Sequence, residues 1–95
     1  VKSILKYTMT GKETTFSMPK GAKVISAHNQ RDEIVLWAVV DTSDAEPKET
    51  KDRTFAFVGT GKRITFDFMR FISTVLVYGG MEAYHVFELK PIQKD

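Results

Sequence analysis

The sequence predicts an all-β fold: one small domain of about seven strands, built as a sandwich or a partly closed barrel. Three observations lead there. Apolar and polar residues alternate with a period of two through most of the chain, and sustained helical periodicity is missing. Strand-length runs are punctuated by Thr10-Gly11, Pro19-Lys20-Gly21, Gly59-Thr60-Gly61 and Gly79-Gly80. The 95 residues suffice for one domain, 1–95, because a chain of this size removes roughly 60–65% of its unfolded surface from water.

The stretch Glu33–Asp41 organises the rest. Its seven uncharged residues are too few for a globular helix and rich in β-branched and aromatic side chains, so it reads as a strand. Ile34, Leu36, Ala38 and Val40 point one way and Val35, Trp37 and Val39 the other; apolar on both faces, it is expected at the centre of a sheet.

The remaining elements follow in order. Lys2–Met9 suits an opening strand, Thr10-Gly11-Lys12 a turn, and Glu13–Met18 a second strand, with Thr14, Phe16 and Met18 on one side, expected to form a hairpin with the first. Pro19-Lys20-Gly21 has the chemistry of a tight turn: a fixed φ, then a residue tolerant of positive φ. Ala22–Asn29 resumes an extended pattern and should pair antiparallel with the central strand across Gln30-Arg31-Asp32. Thr42–Asp52 has charges and Pro47 but no large apolar residue, and reads as a solvated loop. Arg53–Val58 is again a strand. Between Ile64 and Phe71 the pattern is ambiguous, and a short helical turn near 66–71 competes with a strand. Phe71–Tyr78 and Glu82–Leu89, joined through Gly79-Gly80, close the sheet as a hairpin.

Composition excludes several classes. Without cysteine there is neither a disulfide framework nor a thiolate metal site, so a reducing cytosol is the expected setting. No signal peptide or membrane-spanning run is discernible. The net charge of +2 conceals an uneven distribution: residues 1–31 hold six bases and one acid, Glu13, whereas the remainder is acidic. Such a split can draw an anionic ligand to one edge, or help copies meet, or simply lie in solvent.

Candidate chemistry concentrates at Gly59-Thr60-Gly61-Lys62-Arg63, where backbone amides, a hydroxyl and two cations stand ready for a phosphate or another anion. Walker spacing and a following helix are lacking, so this is not a P-loop, and the glycines equally serve a turn. Arg53 and Arg70 are candidate additional anion contacts, and Trp37 a candidate stacking surface, although a tryptophan in so apolar a strand also suits a core or an interface. His28 and His85 read as hydrogen-bonded structural residues rather than general bases, and no metal or cofactor is expected.

Four segments occur together and in order: Met-Pro-Lys-Gly-Ala-Lys-Val-Ile-Ser (Met18–Ser26), Leu-Trp-Ala-Val-Val-Asp (Leu36–Asp41), Phe-Val-Gly-Thr-Gly (Phe57–Gly61) and His-Val-Phe-Glu (His85–Glu88). With them the chain resembles a family of small phage-encoded proteins known only as a domain of unknown function. The likeness runs from the second strand to the last, and departs where the family often has His-Pro and this chain has Lys62-Arg63. It implies a non-enzymatic accessory protein acting in the host cytoplasm during infection, with no catalytic residues to carry over. The expected role is counter-defence: a sponge that sequesters a nucleotide-derived immune signal, using Gly59–Arg63, Arg53, Arg70 and an aromatic surface. A protein that docks on a host enzyme is the alternative, and a single-stranded nucleic-acid binder ranks last because no extended Lys/Arg stripe appears. Homo-oligomerisation fits the first two, since small β domains bury leftover apolar edges in a partner.

Overall fold

A computed structural model describes residues 1–41 and 49–91. Seven strands form two antiparallel sheets: β1 (Lys2–Thr8), β2 (Glu13–Pro19), β3 (Lys23–Gln30), β4 (Glu33–Asp41), β5 (Thr50–Gly59), β6 (Phe68–Val77) and β7 (Glu82–Leu89). One sheet has the order β1-β4-β3 and the other β2-β5-β7-β6, making an open sandwich rather than a closed barrel.

The alternation in β4 explains its central place. Ile34, Leu36, Ala38 and Val40 are buried between the sheets, where they meet Phe55 of β5, Val75 and Val77 of β6, and Val86 of β7. On the opposite face Trp37 and Val39 are half-buried, Trp37 lying between Lys6 of β1 and Ser26 of β3.

The expected β1–β2 hairpin does not form: β1 pairs with β4 and β2 with β5, in different sheets. The reason lies in the connection. Met9 is buried and its amide donates to the Ile34 carbonyl (2.9 Å), while the Lys12 carbonyl accepts from the Phe57 amide (2.9 Å). An apolar side chain sunk in the core just before Thr10-Gly11 thus makes the chain change sheets instead of folding back. The tight turn at Pro19-Lys20-Gly21 is present, with Gly21 at φ 84° and the Ala22 amide donating to the Pro19 carbonyl (3.0 Å).

β3 and β4 do form the expected hairpin, across two residues that both have positive φ, Arg31 (54°) and Asp32 (62°). Such turns favour Asn and Gly, so the geometry here is held by side chains. The Asn29 Oδ1 accepts from the Asp32 amide (2.7 Å), and Asp32 Oδ1 accepts from the Tyr78 amide (3.0 Å). Asn29 Nδ2 also donates to the Leu76 carbonyl (3.0 Å), tying the β3 edge to β6 and the two sheets together. Left-handed backbone costs an ordinary residue about 1–2 kcal/mol and Asn less, so Arg31→Asn is expected to stabilise the fold by roughly 0.5–1 kcal/mol in urea unfolding. An unchanged midpoint would show that the turn carries no such strain.

Two loop expectations change. Residues 42–48 of the expected loop lie outside the described residues, but Thr50, Lys51 and Asp52 belong to β5 and pair with Pro19, Met18 and Ser17. Strand pairing with β2 outweighs their charge, and all three residues stay exposed to water. Near 66–71 there is no helical turn: β6 begins at Phe68, where pairing with β7 overrides the ambiguous local pattern. The only helical segment among the described residues is a 3-10 turn, Tyr78–Gly80, inside the expected β6–β7 hairpin.

β5 and β6 run parallel with β7 between them, antiparallel to both. The connection 60–67 must therefore travel the length of β7, from beside Tyr84 to beside Leu89. It is pinned at its far end, where the Phe66 ring packs on Phe87 (5.7 Å between centroids) and the Lys90 amide donates to the Asp67 carbonyl (3.1 Å).

Candidate functional site

This crossover creates a cleft of about 630 Å³ against β5 and β7. The cleft sits at the Gly59–Arg63 turn and takes in all of its residues except Gly61. Gly61 has φ 83° and the Lys62 amide donates to the Gly59 carbonyl (3.1 Å), so the second glycine shapes the turn. Thr60 is spent on structure as well: its amide donates to the Ala83 carbonyl (3.2 Å) and its hydroxyl bonds His85 Nε2 (2.9 Å). What the turn offers a ligand is therefore its cationic side chains, Lys62 and Arg63, rather than a nest of amides.

Lys12, delivered by the β1–β2 connection, adds a third cation. None of the three makes an ion pair among the described residues. Phe66 and Tyr84 supply aromatic surface, and Glu13 and Glu82 supply acceptors. Tyr84 packs edge-on against Phe57 (4.9 Å) and donates its hydroxyl to Glu82 (2.5 Å). That bond, with some burial and the Glu82 charge, holds the phenol above its ordinary value, so Tyr84 is a neutral donor at physiological pH. His85 is clamped between two hydroxyls, Thr60 on Nε2 and Thr74 on Nδ1, each at 2.9 Å.

Arg53 and Arg70 do not join this cleft. They converge instead on Glu88, the one buried charged residue among those described. Arg53 Nε donates to Glu88 Oε2 (2.7 Å), Nη2 to Oε1 (2.8 Å), and Nη1 to the Ala22 carbonyl (2.5 Å), while Arg70 Nε reaches Oε1 (3.2 Å). Burial pushes the Glu88 carboxyl up, but the hydrogen bonds and charges of Arg53 and Arg70 outweigh it and hold the group below its ordinary value. Trp37 lies in the other sheet, on the face turned away from the core. Of the eight candidate residues, the cleft thus gathers Gly59, Thr60, Lys62 and Arg63.

Sequence reasoning did not find Lys12, Phe66, Glu82 or Tyr84, because only the sheet crossing and the 60–67 connection bring them to one place. Glu88 did leave a signal: it is in phase with Tyr84 and Val86, the inward residues of β7, so a buried partnered acid was readable there.

Fold and cleft together define a small all-β sandwich protein with a partly aromatic, cation-edged cleft under a crossover. The chain belongs to the family described as Domain of unknown function (DUF7352), which matches residues 1–95. No curated protein and no solved structure matches it. Among the described residues, no helix is long and apolar enough to cross a membrane.

Proposed function

We propose that this protein is a non-enzymatic binding protein that captures an anionic, nucleotide-derived molecule in the cleft beneath the crossover. One observation carries the reading: Lys12, Lys62 and Arg63, without ion-pair partners among the described residues, border the same cleft as the Phe66 and Tyr84 rings. Cations for phosphate, a ring for a base and the Glu13 and Glu82 carboxylates for ribose hydroxyls or amino groups are the complement of a nucleotide. The resemblance to small phage-encoded proteins supplies the setting: counter-defence in the host cytoplasm by sequestering an immune signal.

Calorimetry against cyclic dinucleotides, cyclic oligonucleotides and ADP-ribose-type molecules tests this, with Lys62→Ala combined with Arg63→Ala as the site variant. Each charge-assisted hydrogen bond contributes about 1.5–3 kcal/mol, so losing two should weaken binding by roughly a hundredfold or more. The melting temperature should barely move, because exposed turn residues contribute less than about 0.5 kcal/mol to stability. If no member binds the wild type below about 100 μM, signal capture falls; if the double variant binds equally well, the site falls.

A second reading, docking on a host enzyme or on a second copy, is favoured by the outward face of β6 and β7. There Phe68 and Phe71 are exposed against Phe87, Leu76 is exposed further along beside Ala83, and the intervening Thr74 and His85 add no formal charge. Native mass spectrometry separates the two readings by the mass that accompanies the chain. A single-stranded nucleic acid is disfavoured, since the hollow that adjoins the cleft has a mixed lining, Glu13, Asp52, Asp67 and Glu88 with Lys51, Arg53 and Lys90, and not a continuous basic track.

A further inference from the structure

Arg53 and Arg70 mark a second basic place, at the opposite end of β5 from the Gly59–Arg63 turn. A hollow of about 490 Å³ opens there, bounded by the Pro19–Ala22 turn and by Lys23, Lys51, Arg53, Arg70 and Glu88. Its walls carry four cations against one carboxylate, and the cations come from three strands: Lys23 from β3, Lys51 and Arg53 from β5, and Arg70 from β6. Glu88 is already committed: both its oxygens are taken by Arg53 and one is shared with Arg70. Neither Lys23 nor Lys51 makes an ion pair among the described residues.

We infer that this hollow is a second anion site, independent of the cleft, that takes a phosphate-class dianion: a free phosphate or the terminal phosphate of a monoester. The two arginines have different tasks in it. Arg53, only 13% exposed, spends Nε, Nη1 and Nη2 on Glu88 and the Ala22 carbonyl and so is fixed as part of the wall. Arg70, 42% exposed, meets Glu88 only through Nε and Nη2, which leaves Nη1 without a partner among the described residues. Glu88 is the positioning residue: it braces the Arg70 guanidinium by one edge so that the other is presented to the hollow. A planar guanidinium edge flanked by two ammonium groups matches the several oxygens of a phosphate, fork for two and point charges for the rest.

The hollow between this site and the cleft mixes acids (Glu13, Asp52, Asp67) with bases (Lys51, Arg53, Lys90), so no continuous run of cations joins Arg70 to Lys62 and Arg63. Two discrete anions suit such an arrangement better than one continuous polyanion.

The test is an amide and arginine-side-chain NMR titration of the whole chain with inorganic phosphate and, separately, with 5′-AMP, each against chloride at matched ionic strength. The variant is Lys23→Gln with Lys51→Gln, which removes two exposed charges and leaves the Arg53–Glu88–Arg70 cluster intact. Saturable shifts at Gly21, Lys23, Lys51 and the Arg70 Nε are expected, weakened at least about tenfold in the double variant through lost charge-assisted contacts. Tighter binding of 5′-AMP assigns the site to monoesters, and tighter binding of phosphate to the free ion. Shifts no larger than those with chloride, or an unaltered affinity in the variant, overturn the inference. Shifts confined to Lys62 and Arg63 also overturn it, while leaving the proposed cleft standing; loss of shifts there with retention at Arg70 does the reverse.

Discussion

Glu88→Gln is expected to lower the free energy of unfolding by about 3–5 kcal/mol at pH 7, the range for breaking a buried ion pair by removing one partner. The carboxylate is 2% exposed and holds Arg53 in a bidentate grip at 2.7 and 2.8 Å, so the amide would leave a nearly buried guanidinium without a counter-charge. The pH dependence distinguishes this from lost packing. Glu88 titrates below its ordinary value of 4.5 in the folded chain, so its contribution is fully present above about pH 4.5 and disappears as the pH falls through the lower folded value. The gap between wild type and variant should therefore be widest at neutral pH and shrink on acidification. A gap that stays constant from pH 7 to pH 3 would mean that the charge of Glu88 is irrelevant to the fold.

How far the sequence alone leads depends on whether the signal is local. The bounds of β4 and β7 are readable because Glu33 and Asp41 flank a continuous apolar run, and because Gly79-Gly80 and Glu82 fix the start of the last strand. The hairpin between β3 and β4 is local too, and it forms as expected. The pairing of β1 is not. Nothing in Thr10-Gly11-Lys12 distinguishes a hairpin turn from a change of sheet; the decision is made by Met9 entering a core assembled from distant strands.

The candidate site divides along the same line. Gly59–Arg63 announced itself as a cationic turn, and it does border a cleft, whereas the placement of Arg53 and Arg70 depends on Glu88, a residue 35 and 18 positions away. Two arginines that look in the sequence like spare cations are, in the fold, already engaged by a buried acid. Lys12, which looked like turn punctuation, becomes part of the cleft because the chain crosses from one sheet to the other immediately before it.

The core itself gives the other large expected effect: Phe55→Ala should destabilise the fold by about 3–5 kcal/mol, as phenylalanine truncations in close-packed cores do. Phe55 is fully buried, pairs in register with Thr14 of β2 and Glu88 of β7, and packs its ring at a tilt to that of Phe16, 6.0 Å between centroids. The Arg53 guanidinium also lies 5.7 Å from its ring centre, so truncation removes a wall of the Glu88 cluster along with apolar volume. Phe71 supplies the contrast within one protein. It is 53% exposed on the outward face of β6, and its ring meets Phe87 at 5.5 Å, so Phe71→Ala should cost only about 1 kcal/mol, the value of one aromatic pair. Urea unfolding with an unchanged denaturant slope measures both. Equal losses for the two substitutions would place as much of the stabilising core outside the four-stranded sheet as between the sheets, and would overturn the sandwich as the source of stability.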